Sequence, residues 1–193
     1  MTVDNEWLWY GGRVCLDFVN TLRDRWKEPQ ETLREPADVL RWLTAAELID
    51  ARRSPAEGDA LLGSARRLRE GIDRAVMMAA ESRMPSQADL SMINDAARAA
   101  PRPAPQAVIE DGRLVPGNDE SRPDDPMTAL GLVARDAVEL LLSPEISRVR
   151  VCGADRCALR FVDRSPAHNR RWCSMTRCGN RTKVRAHQLR QRR

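Results

Sequence analysis

Apolar residues recur at helical spacing through most of the first 144 positions. In "GGRVCLDFVNTLRDRW", Leu16, Val19, Leu22 and Trp26 line one stripe, with Val14, Cys15 and Phe18 beside them. Gly11 and Gly12 punctuate its start, and the pattern predicts a first helix continuing to Trp26. Asp17, Asn20, Thr21 and Asp24 share another stripe of that helix. "REPADVLRWLTAAELID" predicts a second helix, with Pro36 in its first turn and Val39, Leu40, Leu43 and Leu48 facing inward. A third is expected from about Pro55 to Arg83, its stripe formed by Leu61, Ala65, Leu68, Ile72, Ala75, Val76 and Ala79. "SQADLSMINDAARAA" opens a fourth on Ser86 and Asp89, a capping-box-like pair with Asp in place of Glu.

Prolines then exclude helix from "PRPAPQAVIEDGRLVPGNDESRPDDP", where Asp111-Gly112 between two short apolar runs signals a β-hairpin. Pro126 opens the cleanest amphipathic pattern, with Leu130, Val133, Ala134, Ala137, Val138 and Leu141 on one face. Beyond Pro144 the character changes. "RVRVCGADRCALRFVDRS" alternates as two short strands around a cysteine-bearing turn, and a basic helical pattern ends the chain. The expected fold is mainly α. A helical body with a small β-hairpin occupies residues 1–144, and a four-cysteine finger built of a β-hairpin and a helix occupies 145–193. The body has its own apolar stripes and is expected to fold without the finger.

Charge divides the chain at the same place. Residues 1–147 carry 18 Lys/Arg against 26 Asp/Glu, whereas residues 148–193 carry 14 against 2, so an acidic body of −8 precedes a basic end of +12. Such an end suits a polyanionic partner. No run of about 18 apolar residues predicts a membrane span, and the N-terminus lacks a signal-peptide pattern. A cytoplasmic protein is expected, in which cysteines serve as thiols or metal ligands rather than disulfides.

Four of the five cysteines, Cys152, Cys157, Cys173 and Cys178, are spaced C-x₄-C-x₁₅-C-x₄-C. Two short Cys loops brought together supply the four soft ligands of tetrahedral zinc. The segment has little to bury beyond Leu159, Phe161, Val162 and Trp172, and metal binding would add the missing folding free energy. An iron–sulfur cluster also takes four thiolates, but these spacings match neither common ferredoxin pattern; four unconnected thiols are the plainer alternative. With all four positions filled by protein, the zinc is structural rather than catalytic.

On the final helix Arg177, Arg181 and Arg185 fall on one face, with Lys183 on the opposite side. Arg181 and Arg185 are candidates for base or phosphate contacts, and Arg170, Arg171, Arg177 and Lys183 complete the candidate nucleic-acid surface. Double-stranded DNA is the expected partner; RNA or an acidic protein surface are alternatives, and RNA would call for aromatic platforms. Catalysis is not expected, because G-x-S-x-G, H-E-x-x-H and the H-x-E of zinc deaminases are all missing. Cys15 lies in an apolar stripe as a core thiol. Asp17, Asn20, Thr21 and Trp42 are expected either to line a pocket for a small-molecule effector or to make an interdomain contact, a solvated face being the plainer alternative; a small-molecule-binding protein or enzyme acting through the body is the alternative function.

Residues 149–187 closely resemble the CGNR-type zinc finger, named for Cys178, Gly179, Asn180 and Arg181. Arg171 to Met175, Phe161 to Asp163 and Lys183 also stand where that finger has them. The resemblance implies zinc on the four cysteines above. The N-terminal part is similar to the stress-induced transcription regulator domain that usually precedes this finger, through "LDFVNT" at Leu16 to Thr21 and the Trp42-Leu43 pair. Together they imply a transcriptional regulator that binds DNA.

Overall fold

A computed structural model of the chain describes residues 7–49, 59–101, 106–117 and 123–191. Six helices and three two-stranded antiparallel sheets make up the described residues. The N-terminal segment leads into α1 (Val14–Val19), which is half the length its periodicity predicts. Tertiary hydrogen bonding ends it. The Thr21 hydroxyl donates to the Phe18 carbonyl at 2.7 Å, and the Thr32 amide and hydroxyl both donate to the Thr21 carbonyl at 3.1 and 2.6 Å. The chain turns instead into β1 (Leu22–Arg23), paired with β2 (Gln30–Glu31). Trp26, expected on the buried stripe, lies in the intervening loop and is 67% exposed.

Helix α2 (Pro36–Ala45) starts on a proline whose missing N–H is harmless in a first turn, and Asp38 accepts the Glu35 amide at 3.0 Å. Helix α3 (Asp59–Ala80) buries Leu61, Ala65, Leu68, Ile72, Ala75 and Val76; the part of its expected start before Asp59 lies outside the described residues. Ser86 caps α4 (Gln87–Arg98) by accepting the Asp89 amide at 3.1 Å. In the hairpin of β3 (Gln106–Glu110) and β4 (Arg113–Gly117), Asp111 and Gly112 both have positive φ, 51° and 72°, as a two-residue type I′ turn demands. Helix α5 (Pro126–Leu142) crosses the end of α4 so closely that a Cβ on Gly131 would sit 2.7 Å from the Ala100 nitrogen. Only glycine allows that approach.

A short 3₁₀ turn (Pro144–Arg148) leads to β5 (Val149–Val151), which pairs with β6 (Arg160–Val162), Val149 opposite Val162. A π-helical turn (Met175–Gly179) then opens α6 (Asn180–Gln191). Successive side chains on a strand face opposite ways, and β6 uses both faces. Val162 joins the core of the helical body together with Val149, while Phe161 joins a second apolar cluster containing all four paired cysteines and Leu159. Leu8 and Tyr10, from the segment ahead of α1, pack on that second cluster.

The body and finger therefore share core residues, which argues against a body that folds independently. A fragment ending at Ser143 loses the burial of two valines, about 1.5–3 kcal/mol each, and takes from Asp73 its closest cation, Arg160, leaving it only the longer 3.5 Å pair with Arg25. Set against a total stability of about 5–15 kcal/mol, that fragment should melt without cooperativity or at a far lower temperature than the full chain. Thermal denaturation followed by circular dichroism measures the difference.

Candidate metal centre and nucleic-acid interface

Cys152 follows β5, Cys157 precedes β6, Cys173 lies ahead of the π turn and Cys178 within it. All four are buried. The Cys173 sulfur lies 3.7 Å from those of Cys157 and Cys178, Cys157 and Cys178 are 3.5 Å apart, and the four sulfurs all lie within 4.8 Å of one another. A tetrahedron with metal–sulfur bonds of about 2.3 Å has edges of about 3.8 Å, so the quartet fits zinc. Crowding divides the protons unevenly among the thiols. Hydrogen bonds from Cys157 and Cys173 hold the Cys152 pKa well below the usual thiol range, whereas the bond to Cys152 pushes that of Cys157 up. Cys173 is raised by its bonds to Cys152 and Cys157 and by burial. A divalent cation stabilises all four as thiolates.

The backbone around the quartet is held at several points. The Cys152 amide donates to the Leu159 carbonyl at 2.8 Å, Gly153 to Arg171 at 2.9 Å, and the Cys173 amide to the Cys152 sulfur at 3.4 Å. Asp163 is fully buried and accepts the amides of Ser165 and Arg170 at 2.9 and 2.8 Å. Those bonds, the Ser165 hydroxyl foremost, hold its carboxyl pKa down to about 2. Arg170, expected at phosphates, turns inward. Its Nε donates to the Trp172 carbonyl at 2.8 Å, its NH2 group donates to the Cys173 carbonyl, and the guanidinium lies 5.0 Å from the Phe161 ring centroid. It braces the second cysteine loop, which leaves it less free than its neighbours to reach a phosphate.

The other basic candidates face outward to different degrees. Arg171 is exposed and lies 5.3 Å over the Trp172 ring, and Lys183 is exposed on α6. Arg177 is half-buried in the π turn, beside a groove that it shares with Trp9 and Tyr10. Arg181 and Arg185 lie along the first cysteine loop: Arg181 donates to the Asp155 carbonyl at 3.2 Å, and Arg185 pairs with the Asp155 carboxylate. Lys27, from the β1–β2 loop of the body, pairs with the same carboxylate. Lys27 and Arg185 hold the Asp155 pKa down to about 2, Lys27 contributing more. Lys27, Arg156 and Trp26 were invisible as site residues in the sequence, although the charged run "RDRWKEP" ending in Pro29 carries the signal of an exposed loop.

The motif residues of α1 form the joint between body and finger. The Asn20 side chain, 4% exposed, donates to the Arg160 carbonyl at 2.9 Å and accepts the Arg160 amide at 2.8 Å, pairing with β6 as a neighbouring strand would. Arg160 in turn grips Asp73 of α3 through two bonds of 2.7 and 3.0 Å. The Asp17 carboxyl accepts the Gly11 amide at 2.7 Å, and the Gly11 carbonyl accepts the Val162 amide at 2.9 Å. Burial pushes the Asp17 pKa up to about 7. Thr21 accepts from Arg69 at 3.2 Å, and Trp42, 1% exposed, packs between Trp9 and Phe18. The polar groups of Asn20 and Thr21 are thus taken up inside the protein. Of the two uses expected for this motif, the geometry favours interdomain contact over a ligand pocket.

Purified protein should hold about one zinc per chain. Cys152→Ser and Cys178→Ser should each lose most of it, whereas Cys15→Ser, removing a thiol of the main core, should keep it. Elemental analysis distinguishes these outcomes.

Comparison with family models agrees with this two-part build. The model described as "Putative stress-induced transcription regulator" (ABATE) matches residues 12–144, and the CGNR zinc finger model matches residues 148–191. No curated protein matches the chain. Among the described residues no helix is long and apolar enough to cross a membrane. With four thiols placed for zinc beneath a CGNR turn, on a helical body matched over most of its length, the chain belongs to the ABATE family and carries a zinc-binding CGNR finger.

Proposed function

We propose that the protein is a DNA-binding transcriptional regulator of the cytoplasm, in which the zinc finger engages double-stranded DNA and the helical body senses an effector. The observation that carries this reading is the concentration of charge: 14 Lys/Arg against 2 Asp/Glu in residues 148–193, next to an acidic body that repels phosphate. The zinc quartet fixes the start of α6, so Arg181, Lys183 and Arg185 are presented from a rigid base. The exposed pairs of Lys27 and Arg185 with Asp155 are weak in water, and a phosphate can displace the carboxylate from either cation. Arg171, Arg177 and Lys183 serve as phosphate contacts, and Arg181 and Arg185 as phosphate or base contacts. A mostly apolar pocket of about 320 Å³ among α3, α4 and α5, lined by Leu68, Met92, Met127 and Leu130 with Arg67 and Asp95 beside them, supports a small, largely apolar effector in the body.

Binding to a duplex oligonucleotide, measured by fluorescence anisotropy across a salt series, tests the reading. Each phosphate neutralised contributes about −0.9 to the slope of log affinity against log salt, so about four to six contacts give a loss of two to three decades between about 50 and 200 mM. Lys183→Ala and Arg185→Ala should each flatten the slope by about one unit. Arg170→Ala should instead lower zinc retention. Binding no stronger than that of a scrambled peptide of equal charge would show the arginines to be a solvated tail.

A further inference from the structure

Between the β1–β2 loop and the first cysteine loop lies a cleft of about 280 Å³, near the small end of the range of about 300–1,000 Å³ for small-ligand sites. Its walls are Asp24, Trp26 and Lys27 on one side and the 152–158 loop on the other. Trp26 is 67% exposed, which is unusual for the largest apolar side chain. The guanidinium of buried Arg160 lies 5.7 Å from its ring centroid, which leaves the rest of the ring open. Asp24 is only 4% exposed, and its Oδ2 has no hydrogen-bond partner among the described residues. A buried acceptor without a donor is costly and calls for one.

Three non-glycine residues of the cleft, Asp24, Arg156 and Ala158, have φ of 46°, 55° and 54°, in the left-handed region that such residues seldom occupy. The Asp24 amide donates to the Cys157 carbonyl at 3.1 Å, so the zinc loop holds the cleft's inner wall. Cations flank the cleft, in exposed pairs with Asp155 and Glu28 that a phosphate can displace. Lys27 and Arg156 belong to it, and Asp155 and Arg156 also line the adjoining depression at Arg181 and Arg185. Among the described residues, Arg156 is held by a 3.5 Å pair with Glu28 in which both side chains are exposed.

An open aromatic face, an unanswered acceptor and flanking cations match one chemistry. We propose that this cleft takes an unpaired nucleobase of a nucleic acid, stacked on Trp26 and donating an amino group to Asp24, with its flanking phosphates on Lys27, Arg156, Arg181 and Arg185. The proposal rests on the DNA-binding reading above and adds to it a site for a base taken out of the duplex. Every base has a face to stack, but only adenine, cytosine and guanine carry the exocyclic amino group that Asp24 would accept from.

The test uses the full zinc-loaded chain and duplex oligonucleotides with one bulged nucleotide, a bulged abasic residue at the same place, or no bulge. The bulged base should bind at least about tenfold tighter than either control, in line with the strength of base–aromatic stacking. Trp26→Ala should erase that difference and Trp26→Phe keep part of it, both with unchanged zinc content because the side chain is largely exposed. Asp24→Asn should level the preference for bulged adenine, cytosine or guanine over thymine. Equal affinity of the wild-type chain for all three duplexes overturns the cleft and leaves the DNA reading in place. Failure to bind any duplex at low salt overturns the DNA reading itself. A free mononucleotide that binds as tightly as the bulged duplex overturns the nucleic-acid source of the base.

Discussion

Arg160 carries its guanidinium into the interior, and its neighbours are arranged to receive it. Asp73 of α3 takes two of its N–H groups, the Ala158 carbonyl takes another, and Asn20 pairs with its backbone on both sides. Around this pair, Arg25 and Arg69 meet Glu70 and Glu31 at 2.6 Å each, so three guanidiniums face three carboxylates at the joint. A paired buried charge adds little net stability, but loss of one partner is expensive. The network therefore acts as a lock on geometry. It accepts one placement of β6 against α1 and α3 and penalises the others.

Everything functional hangs from that placement. Because β6 faces the body with Arg160 and Val162 and the zinc cluster with Phe161, the metal and the helical core are two sides of one strand. The lock also sets the β1–β2 loop beside the first cysteine loop, which brings Lys27 of the acidic body into the cation set of the finger. Helix α3 spans both ends of the molecule's apparatus. Leu68 lines the apolar cavity, and Arg69, Glu70 and Asp73 on the following turn hold the joint. A ligand that shifts α3 has a direct physical route to the finger.

Local signals were legible in the sequence and tertiary ones were not. The periodic stripes placed α2 and α5, the Ser86/Asp89 pair opened α4, Asp111-Gly112 marked its hairpin, and the cysteine spacing found the metal quartet, because each of these depends on residues close in sequence. Helix α1 was overextended. Leu22 and Trp26 continue the helical period, but Thr21 bonds back to Phe18 and Thr32, eleven positions on, bonds to Thr21, and the periodicity of apolar residues registers neither bond. Arg160 and Asp73 lie 87 positions apart, and nothing near either one marks them as partners. Arg170 and Arg171 are identical neighbours, yet one braces the zinc loop and the other faces outward, a difference fixed by Trp172, Cys173 and Phe161. The motif "LDFVNT" was recognisable, but its work at the joint emerged only with β6 in place.

If β6 joins the two parts in this way, zinc stabilises the helical body as well as the finger. Amide hydrogen exchange of the full chain, followed by mass spectrometry with zinc bound and after chelation, tests this most directly, since exchange reports stability segment by segment. Helix α1 and the part of α3 around Arg69 to Val76 should lose protection together with residues 149–191 when zinc is removed. Loss confined to residues 149–191, with α1 and α3 as protected as before, would contradict it.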